Sequence, residues 1–171
     1  MLHAVNVLIV DDDPNTCLTF SAALKRCGLS VNSVGTGASA IAEAKARSFD
    51  LALIDLRLPD TSGTDVIRKV RAAGGQLPFI LMSAFLTTSA TVEAMRLGAQ
   101  DVWDKPIWVD DLCRIIPELV HNLRTRFNSH AQFSKEKPEP ESTVVQLTNS
   151  AAERWALFVA KACESDPVHL Q

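Results

Sequence analysis

The stretch LALIDLRLPDTSG, residues 51–63, decides the fold that we predict for this chain. Its apolar run LALI is typical of a strand that is buried on both faces of a parallel sheet. The run ends at Asp55, and Pro59 and Gly63 then favour a turn over a longer strand. Ligands bind outside the carboxyl ends of the strands in open α/β sheets. Asp55 is therefore the first candidate for a functional residue.

Apolar runs alternate with segments of helical periodicity on both sides of this stretch. The predicted strands are residues 5–10, 31–34, 51–54, 79–82 and 101–103. The predicted helices are residues 14–27, 38–47, 64–73, 88–97 and 109–127. This alternation predicts an α/β fold, a five-stranded parallel doubly wound sheet in the flavodoxin-like order 2-1-3-4-5, with helices on both faces.

The composition is that of an ordinary globular protein. The chain has 171 residues, enough for one domain and a tail, with 47% hydrophobic and 22% charged residues. A formal net charge of -3 gives no general argument for binding nucleic acid or membranes. The start of the chain lacks the pattern of a signal peptide, and no stretch is long enough to span a bilayer. We expect a cytoplasmic protein without membrane contact.

The four cysteines, Cys17, Cys27, Cys113 and Cys163, are far apart in the sequence and contain no CxxC pair. Redox or zinc chemistry is one interpretation of them, and four reduced, mostly buried thiols is the other. The spacing favours the reduced thiols.

Charged and polar residues follow four of the predicted strands. Asp11 and Asp12 follow the first strand, Asp55 the third, Ser83 the fourth and Lys105 the fifth. Because the carboxyl ends of parallel strands meet at one edge of the sheet, we expect three carboxylates, a hydroxyl and an ammonium to converge there. The next residue, Asp13, is instead predicted to cap the first helix.

Three adjacent carboxylates repel each other unless a cation lies between them. Carboxylate oxygens suit Mg²⁺, which usually keeps several waters and acts together with a phosphate group. A metal ion and Lys105 on either side of Asp55 would stabilise the charge of a transferring phosphoryl group, and Asp55 would be the nucleophile. The residues therefore predict a site for carboxyl phosphorylation.

Four motifs at these strand ends resemble the response-regulator receiver domains of two-component signalling. They are LIVDDD at 8–13, LIDLRLPDTSG at 53–63, ILMSA at 80–84 and DKP at 104–106. The resemblance covers about residues 5–125. It implies that a sensor histidine kinase or a histidine phosphotransfer protein donates a phosphoryl group to this chain. The chain would then be a phosphoacceptor switch and not an enzyme, and it would change its binding to a downstream protein that the sequence does not name.

The resemblance also implies a role for each residue of the acidic group. Asp55 would be the phosphoacceptor. Asp11 and Asp12 would form the acid pair that binds Mg²⁺, together with Asp55 and the backbone carbonyl of Arg57.

The remaining positions of the family pattern lie in the last two strands. Ser83 would hydrogen-bond the phosphoryl group and Lys105 would contact it, and the peptide bond before Pro106 would be cis. Many receivers carry an aromatic residue three positions before the lysine, whereas this chain has Val102 there. Trp103 would not substitute for it, since adjacent strand residues point to opposite faces.

Two alternatives from other protein classes remain open at this point. The sequence GTGASA, residues 35–40, fits the GxGxxG/A pattern of dinucleotide-binding proteins, but that interpretation leaves Asp11, Asp12, Ser83 and Lys105 unexplained. A haloacid-dehalogenase-like phosphatase also uses an aspartate, a hydroxyl residue and a lysine. Its DxDx[TV] pattern is not met after the first strand, and the chain has no room for a cap.

The end of the chain is predicted to be a separate region. We expect the receiver domain to occupy residues 1–127, a charged and proline-interrupted linker residues 128–149, and a short amphipathic helix and tail residues 150–171. A capping box starts this helix, and Trp155, Phe158 and Val159 lie on one face. The helix either docks on the receiver, frays, or binds a partner. It also resembles the start of output segments that lead into DNA-binding units, so a truncated output segment is another alternative, although we expect no direct DNA binding from this chain.

Overall fold

The computed structural model describes the backbone of residues 5–133 and the side chains of residues 5–125. The chain divides into two units, Met1–Lys135 and Glu136–Gln171, and the sheet with its five helices belongs to the first unit. The predicted helix within residues 150–171 lies outside the described residues.

Five parallel strands form one sheet in the order β2-β1-β3-β4-β5. They are β1 (Asn6–Val10), β2 (Ser30–Val34), β3 (Leu51–Asp55), β4 (Phe79–Ser83) and β5 (Asp101–Asp104). The helices are α1 (Pro14–Arg26), α2 (Gly37–Ala46), α3 (Gly63–Ala72), α4 (Thr88–Arg96) and α5 (Val109–Phe133). The predicted α/β fold and its strand order are confirmed.

Most strand and helix boundaries that the sequence predicts lie within one residue of the observed boundaries. β3 and β4 each include one more residue than predicted, because Asp55 still pairs with Met82, and Ser83 with Asp104. The largest difference is at α5, which continues six residues beyond its predicted end at 127. Residues 128–133 of the predicted linker are therefore helical. No glycine or proline stands between Pro117 and Pro138 to end the helix earlier.

The core is divided between the two faces of the sheet. Along β3, Leu51 and Leu53 belong to one buried cluster, and Ala52 and Ile54 to the other. The first cluster is completed by side chains of α1 and α5, and the second by side chains of α2, α3 and α4. Strands covered by helices on both faces have continuous apolar runs, which is why LALI predicts this position.

Side chains fix the start of α1 and the later part of α5. Asp13 caps α1 by accepting hydrogen bonds from the backbone N–H groups of Asn15 and Thr16, as predicted. Arg124 of α5 donates from Nε and Nη2 to the two carboxylate oxygens of Asp50, both at 2.8 Å. Asp50 immediately precedes β3, so this Arg124–Asp50 fork holds α5 at the amino edge of the sheet.

Within residues 5–133, no helix combines the length and the apolar character needed to cross a bilayer.

Candidate functional site

Asp55 is the last residue of β3 and lies at the carboxyl edge of the sheet. Only 9% of its surface is exposed. The backbone N–H of Arg57 donates to its Oδ1 at 3.1 Å. Since β3 lies between β1 and β4, residues that follow both neighbouring strands come close to this carboxylate.

Asp11 and Lys105, which follow β1 and β5, are in contact at the same edge of the sheet. Asp11 follows β1 directly and is almost completely buried. Lys105 follows β5, and its Nζ donates to Asp11 Oδ2 at 2.7 Å and also to Asp55 Oδ2. Burial acts to lower the pKa of Lys105, but the hydrogen bonds and charges of the two carboxylates raise it above its usual value overall. The ammonium therefore stays protonated between two strand ends.

Three carboxylates lie together at this edge. Oxygen atoms of Asp11, Asp12 and Asp55 are all within 4.8 Å of one another, and Asp12 is the exposed member. Three formal negative charges face the single positive charge of Lys105, so two remain uncompensated. Hard oxygen donors with excess negative charge and solvent access fit a divalent cation such as Mg²⁺. The donor set therefore fits the metal that the sequence predicts.

Ser83 ends β4 next to this group and is almost completely buried. Its Oγ accepts a hydrogen bond from the backbone N–H of Phe85 at 3.1 Å, which leaves the hydroxyl proton available for another acceptor. Its carbonyl accepts from the backbone N–H of Lys105 at 2.8 Å. The ends of β4 and β5 are thus joined beside Asp55.

The side chains of Arg57 and Phe85 are in contact with each other, and no pattern in the sequence predicts this contact. The Arg57 guanidinium carbon lies 4.9 Å from the centre of the Phe85 ring, within the range of a cation–π interaction. Phe85 is 68% exposed. The two residues come from the loops that follow β3 and β4, so the contact connects the loop after Asp55 with the loop after Ser83.

The loop from Asp55 to α3 is closed by its own backbone. The N–H of Gly63 donates to the carbonyl of Leu56 at 2.9 Å, and Arg57 pairs with Ser62 in an antiparallel bridge. A Cβ atom at Gly63 would lie 2.4 Å from the carbonyl oxygen of Asp55. Only glycine permits this close approach of backbone to backbone.

The GTGASA segment contains the start of α2, where backbone N–H groups already donate hydrogen bonds to a carboxylate of this chain. The backbone N–H groups of Gly37 and Ala38 donate to the Asp60 carboxylate at 2.8 and 2.9 Å. These two hydrogen bonds lower the pKa of Asp60 below its usual value. A dinucleotide would need the same helix start for its pyrophosphate. The arrangement argues against the dinucleotide-binding alternative.

The last predicted residues lie on and after β5. Val102 is half-buried on the face covered by α2, α3 and α4, while Trp103 packs on the opposite face with α1 and α5. Their opposite orientation was expected from the strand period. The Lys105–Pro106 peptide bond is cis. The structure thus brings together the side chains of Asp11, Asp12, Asp55 and Lys105 and places Ser83 beside them, whereas the predicted role of the Arg57 carbonyl stays a prediction.

Comparisons with known proteins agree with this geometry. The response regulator receiver domain family matches residues 7–117, well over half of the chain. The chain is similar to the regulatory protein LuxO of Vibrio vulnificus, with 41% identity over 104 residues that make up 61% of this chain and 23% of that protein. It is also similar to the transcriptional regulatory protein ZraR of Salmonella typhimurium, with 30% identity over 120 residues, or 70% of this chain and 27% of that protein. The matched region therefore spans about a quarter of these two relatives.

Solved receiver domains share the same fold. The signal receiver domain of a putative LuxO repressor from Vibrio parahaemolyticus superposes with a TM-score of 0.70 at 24% identity, over 74% of this chain and 98% of that one. A receiver domain protein from Methanospirillum hungatei gives 0.68 at 26% identity, over 72% and 99%. The strand order, the residues at the strand ends and the family match lead to one conclusion: this chain belongs to the response regulator receiver domain family.

Proposed function

We propose that this chain accepts a phosphoryl group on Asp55, with Mg²⁺ bound beside it, and thereby switches its binding to a downstream protein. The observation that carries the proposal is the convergence of Asp11, Asp12, Asp55 and Lys105 at one edge of the sheet. The donor would be a sensor histidine kinase or a histidine phosphotransfer protein in the cytoplasm. In the transfer, an Asp55 oxygen forms a bond to phosphorus while the bond from phosphorus to the donor's imidazole nitrogen breaks.

The residues around Asp55 have separate tasks in this transfer. Lys105, held protonated by its two carboxylate partners, balances negative charge on the phosphoryl oxygens. The Ser83 hydroxyl has a proton free to donate to one of those oxygens. Asp11, Asp12 and Asp55, with the backbone carbonyl of Arg57, would hold Mg²⁺, which supplies further charge neutralisation when bound.

The downstream effect follows from a two-state receiver. A phosphoryl group on Asp55 interacts differently with Ser83 and Lys105 in the two states and shifts their populations by that difference in free energy. The partner that reads this shift would bind a surface that differs between the states. LuxO and ZraR are much longer regulators, and the residues that match them form the receiver region, so the partner that we propose for this region is a protein.

The test is phosphorylation of the full chain with acetyl phosphate and Mg²⁺. We expect a labile acyl phosphate on Asp55 and its loss in Asp55→Asn. Asp60→Asn is the matched control, since Asp60 lies in the same loop but its carboxylate binds the start of α2. Labelling of Asp55→Asn at the wild-type level would contradict the proposal. A haloacid-dehalogenase-like phosphatase would instead release phosphate continuously and accumulate little of the adduct.

A further inference from the structure

The chain contains a pair of adjacent cysteines that the phosphoacceptor site does not use. Cys27 caps the end of α1, and Cys113 lies in the first turns of α5. The sequence separates them by 86 positions, from 27 to 113, so spacing alone gives no sign of a pair. The packing of α1 against α5 on one face of the sheet brings them together.

Cys27 and Cys113 both contact the backbone carbonyl group of Ala23. The backbone N–H of Cys27 donates to the carbonyl oxygen of Ala23 at 3.2 Å. The Sγ atom of Cys113 contacts the same oxygen at 3.7 Å. Both cysteines are free thiols and both are half-buried, so a small reagent has access to them.

The side chains of the two cysteines are therefore neighbours, since both residues contact the Ala23 carbonyl. The hydrogen bond that Cys113 shares with the Cys27 side chain, followed by burial, raises the pKa of Cys113 above its usual value. The charge of Arg26 opposes this rise and that of Asp110 adds to it. A raised pKa reduces the fraction of thiolate at neutral pH, so the reaction of this thiol should be faster in mildly alkaline solution.

We propose that Cys27 and Cys113 form a dithiol site, which a small-molecule disulfide oxidises to an intramolecular disulfide joining α1 to α5. One thiolate attacks the small disulfide, forms a mixed disulfide and releases one small thiolate. The second protein thiolate then attacks the sulfur bound to the protein, forms the Cys27–Cys113 bond and releases the other small thiolate. The small disulfide is reduced to two thiols, the protein loses two hydrogen atoms, and excess small thiol reverses the reaction.

The bond would close a loop that carries most of the phosphoacceptor site. Residues 27–113 include Asp55, Ser83 and Lys105. A cross-link across a long loop restricts the unfolded chain strongly, so the oxidised protein should melt at a higher temperature than the reduced protein. It would also hold the start of α5 against α1 in either state of the switch.

The experiment uses the full chain with Cys163→Ser, which leaves the three cysteines of the described region. The reduced protein is treated with oxidised glutathione at about pH 8, quenched with N-ethylmaleimide and digested with trypsin. We expect a loss of two free thiols, a product that runs as a monomer, and a linked pair of tryptic peptides, residues 27–45 and 97–114. The melting temperature should rise and return to its starting value with reductant.

Single variants separate this site from general thiol reactivity. Cys27→Ser and Cys113→Ser should each stop at a mixed disulfide with glutathione on the remaining partner. Cys17→Ser is the matched control, since Cys17 lies on α1 but donates to the carbonyl of Asp11, and it should form the cross-link normally. The same oxidation in urea should need a much higher ratio of oxidised to reduced glutathione. Cross-links to Cys17, dimers, or equal glutathionylation of all three cysteines without the linked peptides would overturn the proposal.

Discussion

Asp11 and Asp12 are adjacent residues with opposite surroundings. Asp11 is buried and accepts hydrogen bonds from Lys105 and from the backbone N–H of Asp13, at 2.7 and 3.0 Å. Asp12 is exposed at the same edge. One carboxylate is therefore part of the internal structure of the site, and the other is accessible to the Mg²⁺ ion that we propose.

We expect Asp12→Ala to weaken Mg²⁺ binding while keeping or raising stability, because it removes repulsion among the carboxylates. Asp11→Ala should lower the free energy of unfolding by about 1 kcal/mol, since it removes the acceptor of two partly buried hydrogen bonds, from Lys105 Nζ and from the backbone N–H of Asp13. Urea unfolding and Mg²⁺ titration of both variants measure the two effects. Unchanged Mg²⁺ affinity in Asp12→Ala would mean that the acid pair is not the metal site.

Asp60 couples stability to pH through the start of α2. Its pKa is lowered in the folded chain by hydrogen bonds from the N–H groups of Gly37 and Ala38. A lowered pKa contributes stability above the unfolded value, about 4, and this contribution is lost as the pH falls through the folded value. The difference in stability between the wild type and Asp60→Asn should therefore be full at pH 7 and shrink below about pH 4. Urea unfolding over this pH range measures it, and a difference that does not change with pH would refute the assignment.

At the scale of elements, the turn from β3 to α3 depends on Gly63. Its backbone is so close to Asp55 that Gly63→Ala forces one of them to move. Overpacking of this kind costs about 1–3 kcal/mol, and the shift would also reduce acetyl-phosphate labelling of Asp55. Gly35→Ala is the matched control, because its added Cβ would meet no atom closer than 3.7 Å. Equal stability and labelling of the two variants in urea unfolding and phosphorylation assays would contradict a role for this close approach.

β5 determines how strongly the proposed switch responds. Val102 has less volume than the aromatic residue that many receivers carry at this position, and Trp103 lies on the other face of the sheet. If Ser83 turns toward a phosphoryl group, Val102 fills little of the space, so the active state gains less packing. We expect beryllofluoride, a mimic of the aspartyl phosphate, to cause only small amide NMR shifts in α4 and β5. Val102→Tyr should enlarge them, and large shifts in the wild type would show that the idea is wrong.

At the scale of the whole molecule, the chain divides into two units, Met1–Lys135 and Glu136–Gln171. The sheet, its five helices and the residues around Asp55 all belong to the first unit. Deleting the residues after Lys135 should therefore leave the melting temperature and the labelling of Asp55 nearly unchanged, while removing binding to the downstream partner. A chain that ends at Leu119 is the control, since it loses Val120 and Leu123 and should unfold much more easily. A large loss of stability on deleting only the residues after Lys135 would place the tail in the core.

The sequence was sufficient for the sheet, the strand order and the residues at the strand ends, but it placed the end of α5 too early. Apolar runs of strand length predicted the sheet, and the residues that follow them predicted Asp11, Asp55, Ser83 and Lys105, because parallel strands end at one edge. Contacts between distant loops or helices have no such period. The contact of Arg57 with the Phe85 ring and the proximity of Cys27 to Cys113 depend on how separate elements pack, so the sequence did not reveal them.

The Arg124–Asp50 fork fixes the direction in which α5 leaves the sheet, and therefore the side on which further protein would follow. α5 starts a few residues after Lys105 and is held by the fork at the amino edge, so the chain leaves the sheet on the side away from Asp55. The helix then continues from Arg124 to Phe133, about 13 Å at 1.5 Å per residue. A segment fused at this end would start on the side of the sheet opposite to the acceptor edge. The same acceptor chemistry could then be combined with different output segments.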